Sequence, residues 1–168
     1  LPSAIQKLHL LTVRLISPSG LECVMSEPVE FESSISSNLA AGSALQEMIV
    51  QHMERFAYSM RDIFAVRLSL EEALTNSIKH GNKLDESKQV HVNCRIDDVM
   101  LHVRIRDEGA GFDPNTVPDA TLEEFIERPT GRGLLLIRAY MNHCEFSDDG
   151  RTLIIERERN SPLPIMED

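Results

Sequence analysis

Two neighbouring runs in the middle of the chain alternate apolar and polar residues, and this pattern restricts the possible folds most. The runs are QVHVNCRI (89–96) and MLHVRIRD (100–107), separated by three residues. Alternation with a period of two is typical of a strand that buries one face, and the short connection predicts an antiparallel hairpin. Its apolar face comprises Val90, Val92, Cys94, Ile96, Leu101, Val103 and Ile105. We therefore expect a sheet that is covered on this face.

Segments with helical periodicity can supply the covering layer. The first runs from Asn38 to about Tyr58, with apolar residues every three or four positions. The second begins with Asp62 as a predicted N-cap and ends at His80, before the dipeptide GN. A third helix is predicted in GRGLLLIRAYMN (131–142).

The remaining stretches complete the expected architecture. Strand-like runs occupy the beginning of the chain, a long acidic loop follows the hairpin, and TLIIERE (152–158) predicts a last strand. This order favours an α+β two-layer sandwich, with a mostly antiparallel mixed sheet and helices on one face. We expect a β-rich N-terminal extension (1–27), one domain (28–160) and a short tail (161–168).

Composition excludes several classes of protein. The chain has 168 residues and a formal net charge of −10, without a basic run, so direct binding to nucleic acid is not expected. Apolar runs such as LLLI (134–137) are far too short to span a membrane. Cys23, Cys94 and Cys144 are widely spaced and lack a metal-ligand pattern, which predicts reduced thiols. Together these features indicate a cytoplasmic protein.

An aspartate occupies the last position of the second run, where the alternation calls for a buried side chain. Asp107 shares its parity with Val103 and Ile105, so its carboxylate is expected on the covered face. Burial of a carboxylate is unfavourable unless it accepts hydrogen bonds. The donors can be N–H groups of the glycine turn that follows, or the amino group of a ligand such as a purine. From this stretch alone the glycine turn is the simpler explanation.

Polar residues on the second predicted helix form another candidate cluster. Glu72 and Asn76 lie four residues apart and share a face roughly opposite the apolar stripe. Such a face is usually solvated. If the helix were covered on both sides, Asn76 could offer an oxygen to Mg²⁺ and Glu72 could polarise a hydroxyl for attack on a phosphate. Lys79 could meet a phosphate, although a surface lysine is the simpler explanation.

Glycines occur in pairs after the hairpin and before the third predicted helix. The pairs are Gly109 with Gly111, and Gly131 with Gly133. A missing side chain permits close approach of a ligand to the backbone, and free N–H groups at a helix start favour a phosphate. Each pair alone also fits an ordinary flexible loop.

The order of these stretches is more specific than any of them alone. EEALTNSIKHGN, a hairpin ending in DEGAGF, a long loop and GRGLLLI resemble the N-box, first glycine box, lid and second glycine box of the Bergerat-fold (GHKL) ATPases. Within that superfamily, EALTNSIKHG and GRGLLLI are most similar to the anti-sigma factor serine kinases. The resemblance covers Phe31 to about Arg157.

The resemblance implies roles for individual residues. Glu72 corresponds to the general base, Asn76 to the Mg²⁺ ligand, and Asp107 to the aspartate that binds the adenine amino group of ATP. The other correspondences are Gly109 and Gly111 at the lid hinge, Gly131 and Gly133 against the phosphates, Thr152 near the adenine, and Lys79, which matches a lysine of some members.

The resemblance also implies a function. It is that of an ATP- and Mg²⁺-dependent serine/threonine protein kinase acting as an anti-sigma, partner-switching regulator of transcription. The expected partners are an anti-anti-sigma-like (STAS-type) protein, which would be phosphorylated, and a sigma factor, and a homodimer is expected from the family. The alternatives are a nucleotide-gated binding module without catalysis and the catalytic domain of a histidine kinase. Glu72 and Asn76 argue against the first, and the lack of a helical phosphoacceptor histidine ahead of Phe31 argues against the second.

Overall fold

The computed structural model of the protein describes residues 27–111 and 132–162. The elements in chain order are β1 (Val29–Ser36), α1 (Leu39–Arg55), α2 (Met60–Thr75), a π-helical turn (Asn76–Gly81), β2 (Gln89–Ile96), β3 (Met100–Asp107), α3 (Arg132–Tyr140), β4 (His143–Ser147) and β5 (Thr152–Glu158). Residues 1–26 of the predicted extension, most of the acidic loop and residues 163–168 of the tail lie outside the described ranges.

The strands form one five-stranded sheet with the order β1-β2-β3-β5-β4. The predicted hairpin is confirmed, since β2 and β3 pair antiparallel with Val90 opposite Asp107. Asp97 stabilises its connection, because its Oδ1 accepts hydrogen bonds from the backbone N–H groups of Val99 (2.9 Å) and Met100 (2.8 Å). The α+β architecture is confirmed; every strand pair in the described ranges is antiparallel, without the parallel pair of a mixed sheet.

The helices bury the apolar stripes that their periodicity predicts. Leu45, Ile49 and Met53 of α1 and Leu70 and Leu74 of α2 are buried. They belong to the same core as the inward side chains of the hairpin, each at most 4% exposed. Contact with water is thereby removed from the apolar face of the hairpin, which is the main favourable contribution to folding.

The described residues contain two free cysteines and no helix suited to crossing a membrane. Cys94 is a buried free thiol and Cys144 a partly buried one, while Cys23 lies outside the described ranges. Burial raises the pKa of both thiols, which keeps them protonated. Within the described ranges, no helix has both the length and the apolar character that crossing a bilayer requires.

The beginning of α2 differs from the prediction. Ser59, not Asp62, is the N-cap, and Asp62 lies one turn into the helix. Ser59 Oγ accepts a hydrogen bond from the backbone N–H of Asp62 (3.1 Å), and Asp62 Oδ2 accepts one from the backbone N–H of Ser59 (3.3 Å). This reciprocal arrangement is a capping box. Serine and aspartate are both favourable N-cap residues, so residue type does not distinguish Ser59 from Asp62. The predicted N-cap is therefore three positions too late.

The end of α2 differs in geometry more than in position. The helical conformation ends at Gly81, one residue after the predicted end at His80, but after Thr75 it changes from α to π. A π-helical turn contains an additional residue, and such turns are frequent at functional sites. Residues from Asn76 onward therefore point in directions that a period of 3.6 residues does not predict.

A buried ion pair connects elements that are distant in sequence. Arg157 and Asp62 are both 0% exposed, and Arg157 donates from Nε (3.0 Å) and Nη2 (2.9 Å) to Asp62 Oδ1. Arg157 Nη1 also donates to the carbonyl of Tyr140 (3.0 Å). Burial raises the pKa of Asp62, but hydrogen bonds from Ser59, Asn160 and Arg157 outweigh this effect and lower the pKa below its usual value. The pair thus joins the beginning of α2 to the ends of α3 and β5.

Candidate functional site

A large cavity lies between α2, the π-helical turn, the end of β3 and the first turn of α3. Its volume is about 620 Å³, within the usual range for small-molecule sites. Six residues predicted from sequence line it: Glu72, Asn76, Lys79, Asp107, Gly111 and, from α3, Gly133. The tertiary structure therefore brings together residues from three separate sequence motifs.

Glu72 is partly covered and not fully solvated. The first turn of α3 packs against its side chain, and a Cβ atom at Gly133 would overlap Glu72 Oε2. The opposite side of α2 is held in the core by Leu70 and Leu74. The helix is thus covered on both sides, which was the condition for a functional role of Glu72 and Asn76. Within residues 27–111 and 133–162, no hydrogen bond or ion pair involves the side chain of Glu72 or Asn76, so both can bind a ligand.

Asp107 is buried on the covered face, as its parity predicts, with 6% of its surface exposed. Its Oδ1 accepts a hydrogen bond from the backbone N–H of Gly109 (2.8 Å), which is the glycine-turn explanation. The same carboxylate also lines the cavity, so the ligand explanation stays open. Burial raises the pKa of Asp107, although the hydrogen bond from Gly109 and the nearby charges of Arg151 and Lys88 oppose the change.

The raised pKa of Asp107 predicts a pH-dependent cost of folding. The folded protein binds this proton more tightly than the unfolded chain, so the contribution of Asp107 to stability is fully present below the unfolded pKa. It is lost as pH rises through the higher folded pKa. We expect Asp107→Asn to unfold at the same urea concentration as wild type at low pH, and at a higher one near neutrality.

The measurement is urea unfolding of both proteins over a pH series. An exposed aspartate supplies the control: in Asp148→Asn the pH-dependent gain in stability is not expected, because hydrogen bonding by Thr152 lowers the pKa of Asp148. A constant difference between Asp107→Asn and wild type at every pH would contradict the burial effect.

The glycines that follow β3 are required by close contacts. A Cβ atom at Gly109 would overlap the carbonyl oxygen of Gly81. Gly111 has a φ of +80° and lies against the carbonyl of Asp149, so neither its conformation nor its surroundings accept a side chain. Gly111 lines the cavity, whereas Gly109 does not line it and donates its backbone N–H to the Asp107 carboxylate. Gly131 lies outside the described residues.

Thr152 is not brought to the cavity. Its side chain is buried, and its Oγ1 donates to Asp148 Oδ2 (2.6 Å). It pairs with Arg106, whose side chain is on the opposite face of the sheet from Asp107, and the next residue, Leu153, lines the cavity instead. Because neighbouring residues of a strand face opposite sides, a shift of one position decides which residue lines the cavity.

Sequence reasoning missed several residues of the site. Gly81 was interpreted only as a helix stop, yet a Cβ atom there would overlap the Asp107 carboxyl group. Arg151 lines the cavity, and the N–H of Asp107 donates to its carbonyl (3.0 Å). Asn82 is fully buried, and its side chain makes three hydrogen bonds. A glycine and two polar residues in turns have no periodicity that would have revealed them.

The sequence matches a known family over most of its length. The family model of the histidine kinase-like ATPase domain covers residues 35–157. The chain belongs to this family. The range matched to the histidine kinase-like ATPase domain includes every residue that lines the cavity.

Individual relatives are similar at moderate identity. The serine-protein kinase RsbW of Listeria monocytogenes is 29% identical over 113 residues, 63% of this chain and 72% of the relative. The RsbW of Listeria innocua is 30% identical with the same coverage. The anti-sigma F factor of Oceanobacillus iheyensis is 31% identical over 90 residues, 52% of this chain and 61% of the relative.

A solved structure supports the fold. The crystal structure of the RsbU and RsbW domains of a Mycobacterium tuberculosis protein aligns with a TM-score of 0.55. The alignment covers 88% of this chain and 36% of that chain at 12% identity. At this identity the likeness is one of architecture.

Proposed function

We propose that the protein is an ATP- and Mg²⁺-dependent serine/threonine protein kinase of the anti-sigma type. The observation that carries the proposal is the convergence of Glu72, Asn76 and Asp107 on one cavity beside the first turn of α3. Similar proteins are named serine-protein kinase and anti-sigma F factor, which supports transfer of a phosphoryl group to a protein serine.

Asp107 suits the amino group of adenine. Gly109 occupies Oδ1, and no described residue donates a hydrogen bond to Oδ2. An ionised carboxylate accepts a hydrogen bond from an amino group, whereas it repels the carbonyl oxygen that guanine carries at the same ring position. The residue would therefore select ATP over GTP.

Other residues of the cavity lining suit the phosphates and Mg²⁺. Gly133 lies in the first turn of α3, where backbone N–H groups favour an anion, and Lys79 adds a positive charge. Mg²⁺ prefers oxygen ligands and is commonly bound by one or two protein groups together with phosphates and waters. The amide oxygen of Asn76 fits that role, and the described residues contain no cluster of three acidic, histidine or cysteine groups that would cage a metal. Bound Mg²⁺ would neutralise charge on the phosphates.

Glu72 would act on the attacking hydroxyl. It would accept the proton of a serine hydroxyl as the serine oxygen bonds to the γ-phosphorus, while the bond to the bridging oxygen of ADP breaks. The other side chains would contribute positioning and charge stabilisation, which dominate catalysis in phosphoryl transfer.

The name of one relative, anti-sigma F factor, supports a sigma factor as a partner, and the family resemblance suggests the others. We propose a STAS-type anti-anti-sigma-like protein as the phosphorylated substrate and a sigma factor as the sequestered regulator, with a homodimer as the active form. The net charge of −10 disfavours direct contact with nucleic acid. Use of ATP and sigma-factor regulation would place the reaction in the cytoplasm.

Calorimetric titration with ATP and Mg²⁺ tests the nucleotide site. We expect wild type to bind, and Asp107→Asn to weaken binding by at least about tenfold, because an amide presents an N–H group where the carboxylate accepted a hydrogen bond. Asp148→Asn is the matched control: the carboxylate of this exposed aspartate also accepts a hydrogen bond but does not line the cavity, so this variant should bind ATP as tightly as wild type. Equal affinities of all three proteins would refute the role of Asp107, and absence of binding by wild type would refute the nucleotide site.

A further inference from the structure

Asn82 is a buried polar side chain with every hydrogen-bonding group of its amide in use. It is 0% exposed. Its Nδ2 donates to Ser37 Oγ (2.7 Å) and to the carbonyl of Gln89 (2.9 Å), and its Oδ1 accepts from the backbone N–H of Glu108 (2.8 Å). Asparagine is the side chain of this length that offers two donors on one side and an acceptor on the other. The site therefore requires asparagine for both directions of hydrogen bonding.

These bonds join three strand ends at one point. Ser37 follows β1, Gln89 begins β2, and Glu108 follows β3. Two further bonds reinforce the junction: Ser37 Oγ donates to the carbonyl of Lys88 (2.9 Å), and Glu108 Oε2 accepts from the N–H of Gln89 (2.9 Å). Asn82 is the central member, because it contacts all three strand ends directly.

Asp107 is in contact with two residues that adjoin this junction, Glu108 and Gly81. Glu108, which Asn82 holds through its backbone, is the next residue in the chain. Gly81, which precedes Asn82, is so close to Asp107 that a Cβ atom would overlap the carboxyl group. The position of Asp107 thus depends on where Asn82 places both the backbone after β3 and the wall formed by Gly81.

We propose that Asn82 is a positioning residue that holds the Asp107 carboxylate in the orientation needed to recognise the adenine amino group. The inference rests on the proposed ATP site and adds a determinant of its base specificity. Asn82 does not line the cavity and need not touch the nucleotide. Its loss would let the turn after β3 move, and the carboxylate would lose its fixed direction toward the base.

The test is the ratio of the dissociation constants for GTP and ATP, measured by calorimetry with Mg²⁺ well below the melting temperature of each variant. We expect Asn82→Ala to weaken ATP binding by about tenfold and to change GTP binding little, so that the ratio falls toward one. A general loss of stability would weaken both nucleotides equally and leave the ratio unchanged.

Asn142 provides a matched control. Its Nδ2 donates to Ser161 Oγ (2.8 Å), and its Oδ1 accepts from the backbone N–H of Glu158 (2.9 Å), the same chemistry away from the cavity. Asn142→Ala should lower the melting temperature without changing the ratio. If Asn82→Ala does not fold, Asn82→Asp is measured in its place. Aspartate has the size of asparagine and keeps the acceptor for the N–H of Glu108, but it lacks both donors. The ratio of the GTP and ATP dissociation constants should therefore also fall in Asn82→Asp.

Asp107→Asn, measured in parallel, separates the two proposals. If the ratio changes in Asp107→Asn but stays at the wild-type value in the folded Asn82 variant, the positioning role is wrong and the adenine site stands. If Asp107→Asn also keeps the wild-type ratio, the proposed adenine site itself fails.

Discussion

Glu72→Gln is expected to lower the rate of phosphoryl transfer by about 10²–10⁴-fold, the usual contribution of a general base. Glutamine has almost the same shape as glutamate, so it preserves the contact with the first turn of α3 that Gly133 makes possible. ATP affinity should change by less than about threefold, because the change removes a proton acceptor rather than a group that binds adenine. The measurement is transfer of labelled phosphate from ATP to a STAS-type substrate, together with calorimetry of ATP binding.

The neighbouring Glu71 makes a suitable control. It lies on the same helix but faces a separate groove between α1 and α2, so Glu71→Gln should transfer phosphate at the wild-type rate. If Glu72→Gln also kept the wild-type rate, Glu72 would not be the base. If it lost ATP affinity and transfer in parallel, its role would be in binding rather than in the chemical step.

Arg157→Met is expected to destabilise the protein by about 3–5 kcal/mol, the usual cost of removing one partner from a buried ion pair. Methionine replaces much of the apolar stem, but Asp62 stays buried without its cationic partner, and the carbonyl of Tyr140 loses its donor. Such a loss is a large part of the stability of a typical domain. Urea unfolding followed by circular dichroism would measure it.

The exposed pair of Arg95 and Glu30 is the comparison. Their charged atoms lie 3.1 Å apart, but the side chains are 55% and 62% exposed. Because water screens such a pair, Glu30→Gln should cost less than about 1 kcal/mol. If Arg157→Met also lost less than about 1 kcal/mol of unfolding free energy, burial would not explain how much the Arg157–Asp62 pair contributes to stability.

The local pattern of the chain was sufficient to predict the sheet and part of the site. Alternation over residues 89–107 predicts the hairpin, and parity places Asp107 on the covered face, where it is found. Helical spacing groups Glu72 with Asn76, and both line the cavity, although Asn76 follows α2 as the first residue of the π-helical turn. These predictions succeed because strand and helix periods depend on backbone geometry within a few residues.

Long-range contacts decided the remaining features. The partner of Arg157 is 95 residues away, and the sequence gives no local sign that a charged residue of the last strand is buried. The roles of Gly81 and Asn82 arise only when the π-helical turn meets the end of β3. Thr152 faces away from the cavity because of the exact strand register.

By itself, then, the sequence determined which segments become strands and helices and which faces they bury, because those properties repeat with the backbone period. The tertiary structure alone decided which polar groups meet across the fold. A buried charge or amide is stable only with a partner, and that partner is supplied by chain segments whose distance in space has no relation to their distance in sequence.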